Sequence, residues 1–152
     1  MGQPTRGVDV GAITAKAAIF DISIDLAQKA VDEIGEGTIA VKVDVTKKAE
    51  VDEALKTVVD RFGQIDILVN NAGCNVRKPS VEVTWDDWNL VLDTNLRGTF
   101  FVAQAMAKKM IPRRYGKIIN IGSINGLTYS PLQNYSYSAS KAAVHTLTKH
   151  LA

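Results

Sequence analysis

Three observations predict an α/β fold built on a doubly wound parallel sheet. Short apolar runs alternate with longer amphipathic ones along the chain, the pattern of successive βαβ units. Four of the apolar runs end in small or polar residues: Asp21, Asp44, Asn70 to Gly73, and Gly122 to Ser123. A length of 152 residues, with 46% hydrophobic and 22% charged content, suits one globular domain with a sizeable core. Right-handed crossovers between parallel strands would then place helices on both faces of the sheet.

The elements follow in order. Ala17 to Phe20 is a short apolar run closing on Asp21, the first strand. Ser23 is placed to cap a helix with Leu26, Ala30 and Ile34 on its apolar face, ended by Gly35 and Gly37. The β-branched stretch Thr38 to Val45 predicts the second strand. From Thr46, the residues Val51, Ala54, Leu55, Val58, Val59 and Phe62 recur at helical spacing, and Gly63 stops that helix. "QIDILVNNAG" predicts a buried strand, Ile65 to Val69, entering a polar turn. One long helix is expected from Thr84 to Met110, with Trp85, Trp88, Val91, Leu92 and Phe100 as packing positions. Pro112 and Gly116 separate it from "KIINIGS", a strand carrying Ile118, Ile119 and Ile121. An irregular stretch, Asn125 to Asn134, precedes a closing helix in "NYSYSASKAAVHTLTKHLA". No repeat, low-complexity tract or linker divides the chain, so residues 1–152 read as a single domain.

The net charge of +2 has both signs interspersed, which argues against a nucleic-acid or membrane-surface partner. A lone cysteine, Cys74, cannot form an internal disulfide and fits a reducing compartment. No apolar run approaches the roughly 18 residues of a membrane span, and no signal-peptide pattern opens the chain. A cytoplasmic protein is expected.

In open parallel sheets, ligands bind outside the carboxyl ends of the strands. An Asp or Asn there is most often a turn former or helix cap; recurrence after successive strands favours a binding site. Asp21 is placed to accept hydrogen bonds from the two hydroxyls of an adenosine ribose. Its carboxylate would repel a 2′-phosphate, so NAD is the expected cofactor and NADP the alternative. The small residues of "NNAG" let backbone approach a ligand closely.

The closing helix poses an acid–base question. A free phenol titrates near pH 10, too high for efficient proton transfer at neutral pH, and a lysine ammonium held nearby favours the phenolate. Residues i and i+4 share a helix face. Tyr137 has Lys141 at that spacing, whereas Tyr135 has Ala139 and Tyr129 has Gln133. The bare spacing is common by chance; its company gives it weight.

"NNAG", "NLRG" at Asn95 to Gly98, "INIGS" and "YSASK" occur together in one order, and Ser123 precedes Tyr137 by 14 residues. That set, running from about Ala17 to the last residue, resembles the short-chain dehydrogenases/reductases, a family with a Rossmann-like fold. "NNAGCNVRKP" and "IPRRYGKIINIGS" are most similar to the gluconate and sugar-acid dehydrogenases, and the "NYSYSASKAAVH" ending is similar also to 3-oxoacyl reductases.

The resemblance implies an oxidoreductase interconverting a secondary alcohol and a ketone. Tyr137 would be the general acid in reduction and the base in oxidation; Lys141 would favour its phenolate and hold the nicotinamide ribose. Ser123 would hydrogen-bond the substrate oxygen, and Asn95 would support a water-linked proton path by bracing the lysine. Asp44 would approach the adenine with Val45 beside it, and Asn71, Ala72 and Gly73 would line the cofactor. No metal is implied. A homo-oligomer is expected, through the helices around 84–110 and 137–152. Plainer readings stand beside these. Asn95 can be a helix cap or bridge, Ser123 a turn residue, Tyr135 a packing or pocket-wall aromatic, and Cys74 a small buried hydrophobe. His145 and His150 read as solvated or at a subunit contact.

The chain departs from the family pattern at both ends. The glycine-rich turn expected before the first helix finds only Gly7 and Gly11, with Ile13 at the next glycine position. An alignment through "TRG" instead puts Asp9 at the last glycine, where a carboxylate would oppose a pyrophosphate. Residues 1–16 therefore read as a degenerate segment. The resemblance implies an incomplete sheet, with the first strand and the C-terminal strands missing or degenerate. Two functions follow: a working oxidoreductase, or a truncated, catalytically incompetent relative that associates with full-length subunits.

Overall fold

A computed structural model describes the fold over residues 16–152. The degenerate segment, with Gly7, Asp9, Gly11 and Ile13, lies outside the described residues except for Lys16. The elements alternate: β1 (Ala17–Asp21), α1 (Ile24–Ile34), β2 (Thr38–Lys42), α2 (Lys48–Phe62), β3 (Ile67–Asn70), α3 (Trp85–Leu92), α4 (Thr99–Met110), β4 (Lys117–Asn120) and α5 (Tyr135–Leu151).

The strands are parallel, and among the described residues they form two separate pairs. β1 pairs with β2 in the register Ala17 to Thr38 through Asp21 to Lys42, and β3 pairs with β4 from Ile67 opposite Lys117 to Asn70 opposite Asn120. One core joins the pairs. Val51, Ala54 and Leu55 of α2 meet Val102, Met106 and Met110 of α4, with Phe20, Val41, Leu68 and Ile118 of the strands packed against them. Helical periodicity brings the α2 residues onto one face, and burial of that face stabilises a helix too short to persist alone.

Several elements differ from the sequence expectation. Ser23 caps α1 through the Leu26 amide, but Leu26 and Ile34 stand 62% and 59% exposed and Ala27 turns inward. Among the described residues that helix rests mainly on β1 and β2, so a narrow stripe suffices. β2 stops at Lys42 rather than Val45, because Asp44 folds back to accept from the Thr46 amide. α2 accordingly begins at Lys48, not Thr46. The stretch around Ile67 to Val69 is a half-covered strand, not a buried one. Successive side chains alternate faces; Leu68 enters the core, while Ile67 and Val69 are exposed. Ile119 and Ile121 are exposed likewise. Trp85 and Trp88 are not packed positions either: Trp85 is 83% exposed in the first turn of α3.

The long helix expected over Thr84 to Met110 is interrupted. Thr84 starts α3 with a reciprocal capping box to Asp87. A π-helical stretch, Asp93–Gly98, then separates α3 from α4. Such wide turns rotate the following residues and gather at functional sites. Here the distortion carries Asn95 fully inward and sets Gly98 against Val45.

Candidate active site

The ends of β3 and β4, the π-helical stretch and the first turns of α5 converge on one region. Asn95, 0% exposed, accepts from the Cys74 amide at 2.8 Å and donates to the Cys74 carbonyl at 3.0 Å. The same amide nitrogen donates to Ser140 Oγ at 3.1 Å. Asn95 thus ties the segment after "NNAG" to α5, and its side chain bonds the residue before Lys141 rather than Lys141 itself. Gly73 lies under it; a Cβ there would stand 3.2 Å from Asn95 Oδ1. Asn71, Ala72 and Gly73 are exposed just past the end of β3.

Ser123 follows β4 in extended backbone, and its Oγ accepts from the Asn125 amide at 3.2 Å. A hydroxyl that accepts this way keeps its own O–H free to donate. Lys141 is buried, and its Nζ donates to the Ile121 carbonyl at 2.6 Å, two residues before Ser123. An ammonium has three donors, so two remain for other oxygens. That Nζ lies 5.8 Å from the centre of the Tyr137 ring, one turn earlier on α5. The helix therefore brings Tyr137 and Lys141 onto one face, beside the backbone that carries Ser123.

The residues predicted for the adenosine end are placed differently. Asp21 ends β1 half-buried, with Oδ1 accepting from the Ser23 amide at 2.8 Å. Asp44 Oδ1 accepts from the Thr46 amide and hydroxyl at 2.9 and 2.7 Å. Burial pushes the Asp44 carboxyl up, but those bonds and the nearby Lys47 ammonium outweigh it and hold the carboxyl below its ordinary range. Val45 packs on Gly98, where a Cβ would meet its Cγ2 at 2.9 Å. Both acids thus act as turn formers at strand ends, the plainer of their two sequence readings.

Tyr135 is 45% exposed and shares a cleft with Trp85, Trp88, Val83 and Thr84, a wall position rather than a core one. Cys74 is half-buried, its thiol 3.6 Å from the Leu90 carbonyl. His145 is half-buried, and its Nε2 sits 3.0 Å from the Ser123 carbonyl, a contact the sequence reading did not anticipate. Sequence reasoning also passed over a chain of amides beneath the site. Asn70 donates to Asn120 Oδ1 at 2.9 Å, and Asn120 donates to Thr148 Oγ1 at 3.0 Å, joining β3, β4 and α5. Alternation along β3 and β4 offered the one signal, since polar residues at inward positions need partners.

The family model of the short chain dehydrogenases matches residues 10–152. The chain belongs to that family. It is 41% identical to a sorbitol dehydrogenase of Cereibacter sphaeroides over 136 residues, covering 89% of this chain and 53% of the relative. It is 42% identical to a 3-oxoacyl-[acyl-carrier-protein] reductase of a Synechocystis species over 118 residues, 78% of this chain and 47% of that one. A solved Agrobacterium tumefaciens structure assigned as a gluconate dehydrogenase superposes with a TM-score of 0.83 at 37% identity, over 91% of this chain and 55% of its own. The chain therefore spans about half the length of these relatives. The parallel α/β architecture of this chain, and its likeness to that solved structure, agree with the Rossmann-like fold expected from sequence. Among the described residues no helix is long and apolar enough to cross a membrane.

Proposed function

We propose that this chain carries the catalytic segment of an NAD(P)-dependent oxidoreductase that interconverts a secondary alcohol and a ketone. The supporting observation is the convergence of Ser123, Tyr137 and Lys141, with Asn95 bracing the helix that bears two of them. The residues present fit a nicotinamide ribose: Lys141 has two donors beyond Ile121, and the exposed Asn71–Gly73 backbone lies at the end of β3. When bound, the nicotinamide supplies or accepts the hydride. The chain's own part is proton handling and placement. The Ser123 hydroxyl donates to the substrate oxygen and stabilises charge developing there. The Tyr137 hydroxyl gives its proton to that oxygen in reduction and takes it back in oxidation, with Lys141 on the same face of α5 one turn further on.

Asp21 at the end of β1 supports NAD over NADP, since its carboxylate would oppose a 2′-phosphate. Asp44, Val45 and Asn71 to Gly73 complete the proposed cofactor wall, with the two former in supporting roles. The dehydrogenase relatives favour a polyol or sugar-acid substrate, with a 3-oxoacyl substrate second. Assembly as a homo-oligomer through α4 and α5, in the cytoplasm, completes the reading; Phe101, 47% exposed on α4, supports such a contact. Titration with NADH and NADPH tests it directly. NADH fluorescence should change on binding, and Tyr137→Phe should abolish turnover while leaving that binding intact. A folded sample that binds neither nucleotide refutes the proposal.

A second reading is a family member that does not turn over and associates with other family subunits. The uncovered Ile67, Val69 and Ile119 on one face of the β3–β4 pair favour it. Mixed oligomers on co-expression with a related dehydrogenase would support it, and a monomer with turnover would exclude it.

A further inference from the structure

Three residues on one face of α5 grip the strand end that carries Ser123. Lys141 Nζ donates to the Ile121 carbonyl at 2.6 Å, and Thr148 Oγ1 accepts from the Asn120 side chain at 3.0 Å. Between them, His145 Nε2 lies 3.0 Å from the Ser123 carbonyl and 3.4 Å from the Ser123 amide. Spacings of four and three residues place all three side chains on the same helical face. The His145 ring also fills the volume beside Gly122: a Cβ there would stand 2.7 Å from Cε1 and 2.9 Å from Nε2. The lack of a side chain at Gly122 is what admits the ring.

We infer that His145 is a positioning residue, which fixes the Ser123 peptide to the helix bearing Tyr137 and so sets the spacing of the two hydroxyls. The inference rests on the roles proposed above for Ser123 and Tyr137. Its physical basis is leverage. Ser123 caps a single 3-10 turn, Ile124–Gly126, beyond β4, and the His145 contact links the Ser123 peptide itself to α5. Small misplacements of reacting groups are costly in rate. The bond to the Ser123 carbonyl requires a proton on Nε2, present in one neutral tautomer and in the imidazolium, so the tether survives protonation of the ring. A leucine at 145 keeps the bulk and loses the donor. A glutamine carries an amide N–H at similar reach.

The test compares His145→Leu and His145→Gln in the whole 152-residue chain. Amide hydrogen exchange over residues 122–126 is read alongside kcat and KM for a secondary alcohol with NAD. The leucine variant should exchange about tenfold faster there and lose about tenfold in kcat, as expected for one net hydrogen bond. KM for NAD should hold, and glutamine should recover both losses. If leucine leaves exchange and kcat unchanged, or glutamine fails as leucine does, the positioning role is refuted. Should the wild-type chain itself show no turnover, the proposed function fails at that point, and exchange alone decides the tether. Should the leucine variant not fold, Gly122→Ala displaces the ring from the other side and must accelerate exchange in the same segment; unchanged exchange there refutes the tether.

Discussion

Replacing Asn95 by alanine should be among the most damaging single substitutions in this protein. The side chain is fully buried and makes three hydrogen bonds, two to the Cys74 backbone and one to Ser140. At about 1 kcal/mol net for each bond, removal costs about 3 kcal/mol, with a further cavity contribution. Two circumstances moderate the loss. Cys74 is half-buried, so water can reach part of its freed backbone, and Ser140 keeps its own bond to the Tyr137 carbonyl at 2.7 Å. A loss of about 2–4 kcal/mol is a large share of the roughly 5–15 kcal/mol of a typical domain. Urea unfolding followed by far-UV circular dichroism reads it as a midpoint lowered by about 1–2 M. Asn95→Asp sharpens the test. The introduced carboxylate still accepts from the Cys74 amide but faces the Cys74 carbonyl with no proton to offer. Burial and that carbonyl raise its folded-state pKa, so the deficit grows as pH rises through that value and shrinks on acidification. A midpoint shift corresponding to less than about 1 kcal/mol for alanine, or an aspartate deficit indifferent to pH, would show that the three bonds do not hold the site together.

Other substitutions probe the packing around the same region. Gly98→Val should destabilise by about 1–3 kcal/mol, because a Cβ there lies 2.9 Å from Val45 Cγ2 and 3.3 Å from the Asp93 carbonyl. Adding Val45→Ala should recover part of that loss in thermal melts, and no recovery would mean the clash lies elsewhere. Met106→Ala, at a fully buried core position, should cost about 2–5 kcal/mol in urea unfolding; a loss under 1 kcal/mol would contradict the shared core. Acid titrates the cap of α3. The Lys78 ammonium, with the Thr84 amide and hydroxyl, holds the Asp87 carboxyl down at about 2 from an ordinary 3.8. A depressed carboxylate stabilises the fold above its unfolded pKa, so the cap should loosen as pH falls from about 4 to about 2. Exchange of the Asp87 amide, which donates to Thr84 Oγ1, reports it. Lys78→Met should move that midpoint upward, and an unmoved midpoint would remove Lys78 as its main cause.

Some of this protein was legible in the chain alone, and the division has a physical cause. Short-range rules acted where predicted: Ser23 caps α1, Gly63 ends α2 at positive φ, and the i, i+4 geometry brings Lys141 beside Tyr137. Periodicity named the inward face of α2 because a helix repeats every 3.6 residues whatever it packs on. The motifs at the ends of β3 and β4 lie together in the fold, since parallel strands deliver their carboxyl ends to one edge. What depends on partners distant in sequence was not legible. The separation into two strand pairs, the exposure of Ile67 and Val69, and the π-helical turn that buries Asn95 arise only when the elements meet. Asp21 and Asp44 had two readings each, and their local hydrogen bonds show turn formation in the folded chain. His145 is the clearest case. No local rule links it to Ser123, 22 residues away, because that contact exists only after α5 docks on β4. Sequence determined which residues are chemically able to act; the tertiary packing decided which of them are held together.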